Sequence, residues 1–149
     1  MKLITKEFGE ITVEDKDLIV FSRGIYGFEE YTKYVILKDS PDDDIMYLQS
    51  VDNPDLHFVI VDPYIILPHY SPMMTSEDLA VFKIKAEEIN NLKYLLIAVI
   101  SDDIENSVVN AKSPIVINST NNEAIQAILT NPDYSLRHPL FLKKGNGGN

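Results

Sequence analysis

The stretch IMYLQSVDNPDLHFVIV, residues 45–61, sets two runs rich in β-branched and aromatic residues on either side of Asp52-Asn53-Pro54-Asp55. Asn directly before Pro, flanked by aspartates, is a turn signature. The flanking runs, Ile45 to Val51 and Leu56 to Val61, have strand length and strand composition. Further short runs lie on both sides of this pair. Ile11 and Val13 alternate with Thr12 and Glu14, Leu18 to Phe21 is apolar, and Tyr34 to Leu37 follows. Tyr94 to Ile100 is apolar without a break, which predicts a strand buried on both faces. Val108-Val109 and Ile115 to Ile117 read as one strand interrupted at Pro114. Gly24 and Gly27 mark one turn and Asp39 to Asp44 another. Pro63, Pro68 and Pro72 predict an irregular loop over 62–75. Short strands at regular intervals predict an all-β fold, an antiparallel sandwich or barrel.

One or two short helical segments interrupt this pattern. Ser76-Glu77-Asp78-Leu79 begins like a helix, with Ser76 as N-cap and acids in the first turn. Ala86 to Leu92 suits one further turn. Asn121 to Leu129 fits two periods: Ala124, Ile125, Ile128 and Leu129 share a helix face, while Ile125, Ala127 and Leu129 share a strand face.

The chain has 149 residues, 45% of them hydrophobic. That length predicts one domain, residues 1–142, with a core that buries roughly 68–70% of the unfolded surface. Residues 143–149, rich in Gly and Asn, read as a flexible appended tail. There is no Cys, hence no disulfide framework and no thiolate chemistry. The N-terminus has no signal-peptide pattern, and no apolar run approaches the ~20 residues of a spanning helix. The expectation is a cytoplasmic protein with no membrane contact. Acids outnumber bases 23 to 13, for a net charge of −10. Nucleic-acid binding requires Lys and Arg to displace counterions, so that class is disfavoured. The charge suits a basic protein partner through faster encounter, and equally suits simple solubility.

Chemistry-bearing motifs are absent. Gly24-Ile25-Tyr26-Gly27 is too short for a phosphate cradle and is followed by Glu29 and Glu30. His57, His69 and His138 form no metal-binding spacing. Asp42-Asp43-Asp44 resembles the start of a calcium loop but lacks its Gly and closing Glu. Asp102, Asp103 and Glu105 read as the wet end of a strand. No nucleophile elbow occurs. No catalytic residue, metal or cofactor is predicted. Several uncharged polar residues lie beside strands: Gln49, Ser50, Asn53, Asn110, Asn118 and Gln126. Such side chains either satisfy local backbone or face a partner's main chain.

Four stretches, FSRGIYGFEEY (21–31), YLQSVDNPDLHFVIVDP (47–63), VVNAKSPIVIN (108–118) and QAILTNPDYSLRHPLF (126–141), together resemble the FliW family of flagellar assembly factors. The resemblance implies a small antiparallel β-barrel-like domain without enzymatic activity. It implies a regulator that binds flagellin in the cytoplasm and antagonises CsrA, a small basic RNA-binding repressor, allosterically. On that basis the contact candidates are Gln49, Ser50, Asn53, Pro54, Phe58, Asn110 and Asn118, with Tyr70, Tyr134 and Arg137. Phe58 fits the core equally well. Asp42, Asp43, Asp44, Asp102 and Asp103 are candidates for steering CsrA. The resemblance also implies that Gly24 and Gly27 adopt positive φ or permit close backbone approach, that Phe28 plugs one end of the core, and that Asn121 to Leu129 is extended. Tyr26, Ala111, Ser113 and Ala124 depart from the usual family residues.

The rival readings are a metal-dependent hydrolase built on His57, His69 or His138 with nearby acids, and an oligonucleotide-binding barrel. The acid excess opposes the second. Elemental analysis of the purified protein tests the first: the expected result is no stoichiometric zinc or manganese.

Overall fold

Strands β5 (Ile45–Ser50) and β6 (His57–Val61) pair antiparallel, in register from Ile45↔Val61 to Gln49↔His57. A computed structural model describes residues 1–141, and the expected tail at 143–149 lies outside the described residues. A hairpin, β1 (Lys2–Thr5) and β2 (Gly9–Thr12), precedes β3 (Ile19–Phe21) and β4 (Lys33–Leu37). After β6 come α1 (Pro63–Ile66), α2 (Ser76–Val81) and β7 (Leu92–Val99). Next are β8 (Val108–Val109), β9 (Ile115–Asn118), β10 (Glu123–Gln126) and β11 (His138–Pro139).

The strands β7-β6-β5-β4-β3-β10-β9 form a ring that returns to β7 through Leu92↔Asn118 to Leu95↔Ile115. The result is a closed seven-stranded barrel, the all-β class expected, with one correction. β3 and β10 run parallel, with Glu123 opposite Val20 and Ala124 opposite Phe21. A ring with an odd number of strands cannot alternate direction throughout, so one pair must be parallel.

Strand alternation sorts the residues into inner and outer sets. Inside the barrel, Ile19, Phe21, Tyr34, Leu48, Ile60, Leu95, Ile115, Ile117 and Ala124 form the core. The Phe21 and Tyr34 rings meet edge to face at 5.2 Å. The outer faces are also covered. The β1–β2 hairpin region places Leu3 and Val13 on Val35. Phe82, just after α2, packs on Leu92, Val116 and Ile125. Tyr70, Ala111 and Leu129 cover Val61, Leu96, Ala98 and Val109. Two-sided burial of β7 holds at the adjacent Leu95 and Leu96, and ends at Val99, which is 60% exposed.

β8 and β9 lie end to end along one edge of β7, the interrupted strand anticipated. Between Ala98↔Val109 and Leu95↔Ile115, six steps on one strand oppose three on the other. The surplus loops out as residues 110–114, and Asn110 Oδ1 accepts from the Lys112 and Ser113 amides to hold it. Extended structure at Glu123–Gln126 resolves the ambiguous segment, after a turn in which Asn122 has φ of 58°.

Two helix expectations shift. Thr75, not Ser76, is the N-cap of α2, its hydroxyl accepting from the Asp78 amide at 3.0 Å. The segment 62–75 is not wholly irregular: Asp62 caps α1, and Pro63, with φ already fixed, begins it. Residues Ala86–Asn91 form 3-10 turns. Among the described residues no helix is long and apolar enough to cross a membrane.

Gly24 has φ of 72°, and a Cβ there would stand 2.6 Å from Glu29 Cα. Gly27 also has positive φ, 89°, but open space around it. The turn drives Ile25 into the core at 1% exposure, while Phe28 remains 40% exposed. Ile25 is thus the plug expected of Phe28, whose ring instead packs edge to face on Phe58 at 5.2 Å.

Two predictions follow from this packing. Gly24→Ala destabilises by about 2 kcal/mol or more, since strain and clash combine, whereas Gly27→Ala costs about 1 kcal/mol. Urea midpoints distinguish the two. The Tyr34 hydroxyl is buried with no hydrogen-bond partner among the described residues, and burial, reinforced by Tyr31, pushes its pKa up to about 12. The neutral phenol is therefore favoured by the fold. Stability holds up to pH 10 and falls between pH 10 and about 12, by up to roughly 1.4 kcal/mol per pH unit, as the unfolded phenol ionises first. Urea unfolding across that range measures it.

Candidate partner-binding surfaces

Gln49 sits on the outer face of β5 but is fully buried. Its Nε2 donates toward the carbonyls of Ser50 and Leu56 at 3.1 Å and of Asn53 and Pro54 at 3.3 Å. Ser50 Oγ, also buried, accepts from the Asp52 and Asn53 amides. Asn53 Oδ1 accepts from the Asp55 amide. These side chains build the 52–55 turn. Asn118, 3% exposed, likewise accepts from the Thr120 amide and hydroxyl. Gln49 Nε2, Ser50 Oγ and Asn118 Oδ1 are therefore spent inside the fold, as buried polar groups generally are, while Gln49 Oε1 is buried with no hydrogen-bond partner among the described residues. Pro54 is exposed and Asn53 half-buried, so the turn's tip alone faces solvent.

The histidines are dispersed. His57 packs against the Tyr47 ring at 5.8 Å, with Nε2 3.9 Å from a Glu7 carboxylate oxygen. His69 lies in the loop after α1 and His138 in β11. Among the described residues no three His, Asp or Glu side chains converge to hold a metal.

Two grooves open at opposite ends of the barrel strands. The first, about 370 Å³, lies where β6 begins and β7 ends. Phe58 and Ile97 line it between the Ile25–Tyr26 turn on one side and Asn110, Leu136 and Arg137 on the other. Phe58 thus serves core and groove together. Gln126, 8% exposed, bridges the two sides. Its Oε1 accepts from the Tyr26 amide at 3.1 Å, and its Nε2 donates to the Ser113 carbonyl at 3.3 Å. The root of the turn is pinned from outside. Arg23 Nη2 donates to Asp78 Oδ1 at 2.8 Å, and Asp78 Oδ2 accepts from the Ile128 amide. The rim is apolar and open: Val99 and Leu136 are each 60% exposed and Tyr26 52%.

The second groove, about 1010 Å³, opens where β4 ends and β5 begins. Its inner side carries Ile36, Met46 and Lys93, and its outer side Asp62, Tyr64, Tyr70 and Tyr94. Tyr70 is a buried wall. Its hydroxyl donates to the Ala111 carbonyl at 2.9 Å, and its ring stacks on Tyr134 at 4.7 Å. Tyr134 stands behind it, accepting from the Ser71 amide. Burial raises the Tyr70 and Tyr94 phenol pKa values above the ordinary 10, with neighbouring tyrosines adding to the shift.

Four of the sequence-derived contact candidates reach the two grooves, while Gln49, Ser50, Asn53, Pro54 and Asn118 line neither. Phe58, Asn110 and Arg137 meet at the apolar groove, and Tyr70 at the tyrosine groove. Asp42, Asp43 and Asp44 lie in the β4–β5 turn beside the second, where Lys38 and Met46 line it. Asp102 and Asp103 follow the far end of β7 and belong to the other end of the barrel. Sequence reasoning missed Tyr26, Val99, Leu136, Tyr64 and Tyr94. One signal was present: the apolar run ending at Ile100 continues past the last paired residue of β7.

Known proteins resemble this chain closely. The family model described as FliW protein matches residues 2–140. A flagellar assembly factor FliW of Caldanaerobacter subterraneus subsp. tengcongensis is 41% identical over 142 residues, covering 95% of this chain and 93% of the relative. One from Thermoanaerobacter pseudethanolicus is 40% identical with the same coverage. A crystal structure of the flagellar assembly factor FliW superposes with a TM-score of 0.87 at 32% identity, covering 97% of this chain and all of that one. Family match, sequence identity and structural superposition agree: the chain belongs to the FliW family of flagellar assembly factors.

Proposed function

We propose that the protein is a non-enzymatic, cytoplasmic partner-switching regulator that binds flagellin and antagonises a CsrA-type translational repressor allosterically. Flagellin accumulation then occupies the regulator and returns the repressor to its message. The observation that carries this reading is the open apolar rim of the first groove. Val99, Leu136 and Tyr26 expose large side chains around a pre-shaped floor, the composition of an interface core. Flagellin is the partner assigned to it, and Asn110 and Arg137 add polar contacts at its edge. The net charge of −10 suits capture of a basic repressor; that contribution mainly raises the on-rate and fades with salt.

The test is a displacement assay with flagellin and CsrA from the same organism. Flagellin is expected to release the repressor from a preformed complex. Val99→Ser combined with Leu136→Ser is expected to weaken flagellin binding roughly tenfold or more while leaving thermal stability within about 1 kcal/mol, since both residues are exposed. Unchanged flagellin affinity in that variant removes the groove from the interface. A repressor complex indifferent to saturating flagellin removes the switch.

A further inference from the structure

We infer that the tyrosine-lined groove at the β4–β5 end is a docking site for a cationic side chain, arginine or lysine, carried on an extended segment of a basic protein. Tyr64 is 47% exposed and meets the buried Tyr70 edge to face, at 6.1 Å and 78°. Tyr94 meets Tyr70 at 6.5 Å and 74°. Near-perpendicular rings present π faces in more than one direction, the arrangement that attracts a cation within about 6 Å of a ring centroid. The Tyr70 hydroxyl bond to Ala111 and the Tyr134 stack hold this wall fixed before anything binds.

Charge on the tyrosine side of the groove favours a cation. Asp62 lines the groove beside these rings, held there by the Tyr64 amide donating to its Oδ1 at 2.9 Å. Asp42 and Asp44 are exposed on the adjoining turn, and the chain as a whole carries −10. Lys38, just past the end of β4, and Lys93, on the inward-facing register of β7, also line the groove, on the side away from Asp62 and the tyrosines. The place for the cation is therefore the outer, tyrosine side. A volume of about 1010 Å³ exceeds one side chain, and Asn90 and Asn91 offer side-chain amides to the backbone of a segment. A nucleic acid carries the wrong charge for this wall. That the segment belongs to the repressor rests on the partner-switching reading; the cation chemistry does not.

Two measurements separate these claims. In the first, protein labelled on its tyrosine rings is titrated with N-acetylarginine amide and with N-acetylglutamine amide, followed by NMR. The Tyr64 and Tyr94 ring signals are expected to shift with the arginine compound only, and the shift is expected to be lost in Asp62→Asn, which keeps the α1 cap while removing the charge. No shift, or an equal shift at the distant Tyr26, overturns the site. In the second, repressor affinity is measured for Tyr64→Phe and Tyr64→Leu. Phe, which keeps the ring, is expected to bind as wild type, and Leu roughly three- to tenfold more weakly, with flagellin binding unchanged. Wild-type repressor affinity in Tyr64→Leu overturns the assignment to the repressor. If wild-type protein binds no repressor at all, the partner-switching reading falls while the arginine titration still decides the groove.

Discussion

Ring closure is the constraint on which the other features depend, and it is made by a short parallel seam. β3 contributes only Val20 and Phe21 to its pairing with β10. Neighbouring contacts brace so short a seam. The Val20 amide donates to the Asn122 carbonyl at 3.1 Å, and Asn122 Nδ2 donates to the Lys16 carbonyl. Asn122 reaches both only because it accepts the left-handed conformation that asparagine tolerates better than most residues. Just beyond the seam, Arg23 and Asp78 tie the exit of β3 to α2. Closure removes the open edges that invite aggregation along the barrel wall.

Closure also decides where binding can occur. Phe21, Tyr34, Leu48 and Ile60 pack together in the interior, which in a barrel of this strand number is filled by side chains. The outer walls are occupied by the hairpin, α2 and the segments around Tyr70 and Leu129. The strand ends are what is left. One end gathers aliphatic groups around Gln126, the other tyrosines around Asp62. Different chemistry at the two ends fits the two unlike partners proposed above.

Local patterns in the sequence were enough for the β5–β6 pair, the two-sided β7 and the interrupted β8–β9 edge, because alternation and turn residues act over a few positions. Where two residues competed for one role, the outcome depended on backbone angles. Thr75 and Ser76 both carry a capping hydroxyl. Ile25 and Phe28 both flank the glycine pair, and the φ of Gly24 sent Ile25 inward. The amides were the hardest to read. An amide that ties its own turn, as Gln49 does, has the same sequence context as one that faces a partner. The bond from Arg23 to Asp78 spans 55 positions and the tyrosine cluster runs from 64 to 134, so only the folded topology brings them together.

The tyrosine cluster has an optical consequence. The chain contains eight tyrosines and no tryptophan, so no indole drains excitation from the phenol rings. Tyr64, Tyr70, Tyr94 and Tyr134 form a chain of ring pairs 4.7 to 6.5 Å apart, close enough to pass excitation among themselves and depolarise their emission. A molecule that lodges against Tyr64 disturbs that exchange, so the fold carries an intrinsic, label-free reporter at its tyrosine-lined groove.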